Sequence, residues 1–110
     1  MPIEVADFQK IDIRVGRVLE ARVSEKARKP SYALRIDFGP LGVKTSSAAV
    51  RPWYKPEELV GRQVVAVVNF PPRNVAGVES EVLVLGAVEQ DGRVVLLQPD
   101  AEATLGSRIA

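Results

Sequence analysis

Two polar loops carry the side chains best suited to bind a ligand. The first loop, residues 24–31, is rich in cations, and the second, residues 71–79, combines prolines with a cation and an amide. Together with the strand ends beside them, these loops supply the candidate binding residues Arg28, Lys29, Tyr32, Phe70, Pro71, Arg73 and Asn74. Guanidinium and ammonium groups bind phosphates or carboxylates, and exposed aromatic rings stack on bases or pack on apolar side chains.

Ser46 and Ser47 complete the set of candidate binding residues. They lie in a predicted strand before two alanines, and small polar side chains leave a groove open and line it with hydrogen-bond donors. Tyr32 and Phe70 have an alternative role, because aromatic residues are more often part of a core. The ligand has two interpretations: an RNA, with phosphates on the cations and a base on an aromatic ring, or an extended polypeptide with apolar side chains in the groove.

The sequence offers few residues for catalysis. It contains no His and no Cys, which removes the commonest general base, the thiol nucleophile and the usual zinc ligands. A pair formed by Lys44 with Ser46 or Ser47 is conceivable, but no oxyanion-binding feature accompanies it. We therefore expect a protein that is not an enzyme and that has no cofactor and no metal site.

Charge is balanced over the chain but unevenly distributed. The formal net charge is +1, yet residues 22–35 are basic and residues 79–102 are acidic, so a local field is expected without net charge. The N-terminus has acids where a signal peptide needs a basic region. No apolar run reaches the roughly 20 residues of a membrane span. We expect a cytoplasmic protein without membrane insertion.

Hydrophobic patterning predicts an all-β fold. A short helix over residues 4–9 precedes a first strand over residues 11–23, which we expect to bend at Gly16. Alternating residues predict two further strands, and a proline followed by two acids predicts a short helix before strand 4. Residues 64–70 are apolar on both faces, as in a covered strand, which Pro71 must end. A fifth strand, a hairpin and an irregular C-terminal extension follow.

This order of elements fits a five-stranded OB-fold Greek-key barrel that forms a single domain, residues 1–110. The ligand face of such a barrel is framed by the loop between strands 1 and 2 and by the loop between strands 4 and 5. Here these are the loops at residues 24–31 and 71–79. We therefore expect the two groups of cations to meet at one site.

Several separated motifs resemble the tRNA-binding-domain family. The opening motif is DFQKIDIRVGRV at residues 7–18, and segments at residues 27–32, 36–39, 44–48 and 68–73 resemble the branch of export-related CsaA chaperones. Members of the family are OB-folds that occur free as homodimers or fused to aminoacyl-tRNA synthetases. For this chain the resemblance implies a cytoplasmic homodimer that binds unfolded or precursor polypeptides and cooperates with the Sec export machinery.

The resemblance also implies that the N-terminal helix and the C-terminal extension form the dimer interface. The residues concerned are Ile3, Val5, Phe8, Leu97 and Ile109. Family members that bind tRNA carry more lysine in the loop between strands 4 and 5, where this chain has only Arg73 between residues 71 and 77. Fewer cations predict weaker neutralisation of phosphates. Polypeptide binding is therefore the first prediction, tRNA or structured RNA on the same surface the second, and a purely structural subunit the third.

Overall fold

The computed structural model describes residues 1–110. Its helices and strands follow one another in the order α1 (Val5–Gln9), β1 (Ile13–Ser24), β2 (Ser31–Asp37), a 3-10 turn (Gly39–Leu41), β3 (Val43–Ala48), α2 (Pro56–Leu59), β4 (Gln63–Val67), β5 (Arg73–Val75), β6 (Val78–Ser80), β7 (Leu83–Val84), β8 (Gly86–Val88) and β9 (Val94–Leu96). β1 is the longest element, with 12 residues. The predicted all-β class is confirmed.

Five strands form one antiparallel sheet in the order β3-β2-β1-β4-β7. β1 pairs with β4 up to Arg17 and with β2 from Arg17 onward, so it changes partner midway. β3 and β7 are the two edge strands. The sheet curls so that the chain just before β7 meets β3, where the Glu81 N–H donates to the Thr45 carbonyl at 2.9 Å. The curled sheet therefore has the form of the predicted OB-like barrel.

The main core lies inside the curled sheet. Leu34, Ile36 and Phe38 alternate along β2 and its end and are almost fully buried, as the sequence predicts. β4 is buried along its whole length, because a second, smaller cluster packs on its outer face. That cluster consists of Ile13, Val15, Val65 and Val67, covered by Leu85, Ala103 and Ile109.

Side chains of the core closely approach the backbone of β1 at Gly16, where the sequence predicts a bend. Gly16 pairs regularly with Val64, and the register irregularity of β1 lies further on, between Val18 and Glu20. A Cβ at Gly16 would lie 2.7 Å from the Cε1 atom of Phe38. The glycine is required because the Phe38 ring packs directly on the backbone.

The region after β4 differs most from the prediction. β4 ends at Val67, three residues before the predicted end at Phe70, and the predicted loop contains the hairpin of β5 and β6. Ala76 and Gly77 form its turn with φ values of 51° and 86°, as in the type I′ turns that suit a hairpin. Strands of only 3 residues contain too few positions to show an alternating pattern, so the sequence did not reveal them.

Both α-helices are short. α2 begins at Pro56 with two acids in its first turn, where carboxylates interact favourably with the helix dipole. Its buried residue Leu59 attaches it to the main core. No helix in the structure has the length and apolar character needed to cross a membrane.

Candidate binding groove

A groove with a volume of about 1010 Å³ lies between the two loops singled out in the sequence. We define the groove by the residues that line it: residues 26–29, Ser31, Ser47, Ala49, residues 70–71, residues 73–76 and residues 80–83. One wall is therefore the β1–β2 loop, and the other is the β5–β6 hairpin with residues 70–71 before it and residues 81–83 after it. The end of β3 lies between the walls.

The groove is assembled by the path of the β5–β6 hairpin. β4 ends opposite the start of β1, where Val67 pairs with Ile13, whereas the β1–β2 loop is at the far end of β1. The hairpin reaches that end by lying along β3, where the Ser47 N–H donates to the Ser80 hydroxyl at 3.2 Å. The next residue of β3, Ala48, pairs with Tyr32 directly after the β1–β2 loop. Both loops therefore meet at the end of β3.

Seven of the nine candidate binding residues line this groove: Arg28, Lys29, Ser47, Phe70, Pro71, Arg73 and Asn74. The Phe70 side chain is large and apolar, yet Phe70 is 49% exposed. Asn74 also has a local role, because its side-chain oxygen accepts the Gly77 N–H at 3.0 Å and stabilises the hairpin turn. The structure thus brings these seven residues to one surface, and their contacts with a ligand remain a prediction.

Tyr32 and Ser46 do not line the groove, which corrects their predicted place on the binding surface. Tyr32 is 4% exposed in the main core, and its hydroxyl donates to the Tyr54 carbonyl at 2.7 Å. Ser46 is fully buried, and its hydroxyl donates to the Val82 carbonyl at 2.8 Å. Successive side chains of a strand point to opposite faces, so Ser46 points inward and Ser47 outward.

Asn69 positions one wall of the groove and was not among the candidate residues. Its side-chain oxygen accepts the Asp12 N–H at 3.0 Å, and its side-chain nitrogen donates to the Lys10 carbonyl at 2.8 Å. These bonds attach the backbone just before Phe70 to the segment between α1 and β1. The sequence signal that could have identified Asn69 is an amide side chain at the end of an apolar strand, directly before Phe70 and two prolines.

The cations of the groove are unpaired. The chain has 15 Lys and Arg residues, and seven of them use their side chains in ion pairs or hydrogen bonds: Lys10, Arg14, Arg17, Arg22, Arg35, Arg62 and Arg93. Of the remaining eight, four line the groove: Lys26, Arg28, Lys29 and Arg73. Lys26 was not among the candidate residues.

One carboxylate, that of Glu81, also lines the groove. It accepts the Thr45 N–H at 3.0 Å and the Thr45 hydroxyl at 3.1 Å, so it connects β3 to the chain before β7. The cations can therefore bind phosphates or carboxylates of a ligand, while the alanine, valine and leucine side chains of the lining contact its apolar parts. No group of three or more His, Cys, Asp or Glu side chains is arranged to hold a metal ion.

The residues expected at a dimer interface lie mostly on the surface. Ile3 and Val5 are each 74% exposed, Leu97 is 44% exposed and Phe8 is 37% exposed. Ile109 is an exception, because it packs on the smaller cluster and its N–H donates to the Ile13 carbonyl at 2.9 Å. Four of the five residues therefore expose apolar surface, and Ile109 attaches the C-terminal segment to β1.

Residues 13–108 match the family model described as "Putative tRNA binding domain". The methionine–tRNA ligase of Porphyromonas gingivalis strain ATCC 33277 is 45% identical over 107 residues, which are 97% of this chain and 15% of the ligase. The chain thus spans about 15% of the length of the curated relatives it matches.

Two crystal structures are similar over nearly the whole of both chains. The chaperone CsaA of Bacillus anthracis is 51% identical with a TM-score of 0.95, covering 100% of each chain. The CsaA chaperone protein of Picrophilus torridus is 49% identical with a TM-score of 0.92, covering 99% of this chain and 100% of that one.

Proposed function

This chain belongs to the tRNA-binding-domain family, and from that premise we propose that its groove binds tRNA or another structured RNA without catalysing a reaction. The observation that carries this proposal is the set of four unpaired cations around one groove. A cation that neutralises a phosphate releases a counterion, which strengthens binding roughly fivefold per contact at about 0.15 M salt.

The cation count reverses the order of the two ligands that the sequence predicted. Polypeptide came first because residues 71–77 contain a single cation, Arg73. The β1–β2 loop adds Lys26, Arg28 and Lys29 to the same groove. Four cations facing one ligand favour a polyanion, since each contact with a phosphate adds to the affinity.

A chaperone function is the second candidate. Its support is the exposed Phe70 ring beside the apolar lining, and the similarity of the full chain to two structures of CsaA chaperones. β5 pairs only with β6, so its other edge is available to an extended polypeptide. In this function a cytoplasmic protein would hold unfolded or precursor polypeptides and cooperate with the Sec export machinery.

A competition experiment distinguishes the two ligands. Labelled tRNA, titrated with the protein and followed by fluorescence anisotropy, should bind at about 0.15 M salt and more tightly at lower salt. An unfolded precursor polypeptide should then be added to the complex. Displacement of tRNA would show that the two ligands compete for one surface. Absence of tRNA binding even at about 0.05 M salt, with binding of the polypeptide, would contradict the RNA proposal and leave the chaperone proposal standing.

We further propose that the domain, residues 1–110, is a homodimer with its N- and C-terminal segments at the interface. The exposed apolar residues Ile3, Val5, Phe8 and Leu97 support this, because a partner would bury them. Two grooves in one dimer would bind a long ligand with increased avidity.

The dimer is tested by Val5→Asp, which places a charge on the proposed interface. Sedimentation equilibrium should show a dimer for the original chain and a monomer for this variant, because burying an unpaired carboxylate is unfavourable. Val88→Asp is the matched control, since Val88 is 75% exposed and Val5 is 74% exposed. A monomeric original chain, or a Val5→Asp variant that dimerises as strongly as the original chain, would contradict the proposal.

A further inference from the structure

A second basic surface adjoins the groove. The segment between β3 and α2 carries Arg51, Trp53 and Lys55, which are all exposed. We call these three residues the basic strip. The Arg51 N–H donates to the Pro30 carbonyl at 3.4 Å, and Pro30 is part of the β1–β2 loop that forms one wall of the groove. The start of the basic strip therefore adjoins a wall of the groove.

The cations of the basic strip are unpaired, like those of the groove. Of the eight unpaired cations, four line the groove and two, Arg51 and Lys55, belong to the basic strip. The other two are Lys44 and Arg108. Two carboxylates lie beside these cations, that of Glu81 in the groove and that of Glu58, which accepts the Lys55 N–H at 2.8 Å. The six unpaired cations outnumber them, and such an excess of positive charge is complementary to a polyanion.

Trp53 is partly exposed, whereas the neighbouring Tyr54 makes contacts within the protein. The Arg62 guanidinium lies 5.2 Å from the centre of the Tyr54 ring, and the Tyr54 hydroxyl accepts the Leu96 N–H at 3.0 Å. Trp53 is 38% exposed and lies between two cations in the chain. An exposed aromatic ring among cations is the arrangement with which proteins bind unpaired nucleotides.

We propose that the basic strip is a second RNA subsite, in which Arg51 and Lys55 bind backbone phosphates and the Trp53 indole stacks on an unpaired base. This inference rests on the proposed binding of RNA in the groove. The RNA then follows the surface from the groove past Pro30 to Lys55. Phosphate contacts on both surfaces supply affinity, and stacking favours RNA with an unpaired base at this place.

Salt-dependent binding of bulk tRNA tests the two cations of the strip. In filter-binding assays, Arg51→Ala combined with Lys55→Ala should reduce the slope of log K against log salt by about two. It should also weaken binding roughly 30-fold at about 0.15 M salt. The control is Lys44→Ala with Arg108→Ala, which removes the same net charge from the other two unpaired cations and should leave the slope unchanged. Equal binding by both double variants would overturn the inference.

Trp53 provides a second readout, because it is the only tryptophan in the chain. Saturating tRNA should quench its fluorescence and protect it from acrylamide. Trp53→Ala should weaken tRNA binding roughly 5- to 150-fold, with Trp53→Phe restoring most of the affinity, since any aromatic ring can stack. Tight tRNA binding with unchanged Trp53 fluorescence would overturn the inference but not the proposed function. Absence of tRNA binding by the original chain would overturn both.

Discussion

Alanine at all four groove cations, Lys26, Arg28, Lys29 and Arg73, should weaken tRNA binding on the order of a thousandfold at about 0.15 M salt. Each cation contributes about one unit to the slope of log K against log salt, so the slope should fall by about four. The reason is structural: none of the four side chains has an ion-pair partner within the protein. Their full charge is available to phosphates. Filter binding over a range of salt concentrations measures both quantities.

The matched control removes four cations that have carboxylate partners: Lys10, Arg22, Arg35 and Arg93. Their side chains are between 49% and 78% exposed, so each ion pair contributes at most about 1 kcal/mol to stability. The control variant has the same net charge as the groove variant and should keep most of the salt slope. Equal loss of affinity in both variants would show that tRNA responds to net charge and that the groove is not its site.

Phe38→Ala should lower the free energy of unfolding by about 3–5 kcal/mol, as measured by urea titration followed by circular dichroism. Phe38 is fully buried, and its ring packs on the backbone of Gly16 at the point where β1 changes partner. Truncation leaves a cavity that the sheet on both sides of Gly16 cannot close. Because small domains are stable by about 5–15 kcal/mol, this loss is a large part of the total.

Phe70→Ala makes the same chemical change on the surface and is the control for Phe38→Ala. Phe70 is 49% exposed, so we expect a change in unfolding free energy within about 0.5 kcal/mol. Binding of an unfolded polypeptide should weaken by about 1–3 kcal/mol if the ligand covers the ring. A large loss of stability in Phe70→Ala would contradict its assignment to the ligand surface. Unchanged polypeptide binding in the folded variant would contradict the chaperone function at the groove.

Tyr32 and Ser46 lie away from the predicted binding surface for different reasons. Tyr32 occupies the same face of β2 as the buried Leu34, so the alternating pattern itself indicated that the tyrosine is buried. Ser46 pairs with Leu34 across the two strands. Its burial depends on that register, which alternation within β3 does not determine.

The sequence by itself determined the elements whose signals are local. The alternation along β2, the apolar run of β4 and the proline at the start of α2 predicted each element, because side-chain periodicity and backbone restriction act over a few residues. The sequence also indicated which two loops carry most of the candidate binding residues. Seven of the nine candidate residues line one groove.

Only the tertiary structure decided which cations are available and how the two loops are brought together. The two loops are attached near opposite ends of β1, and they come together because the β5–β6 hairpin lies along β3. The same contacts between distant segments determine which cations find a carboxylate, as Arg17 does with Glu102, and which remain free, as Lys26 and Arg51 do. No local pattern encodes such pairings, since they depend on how segments far apart in the chain are packed together.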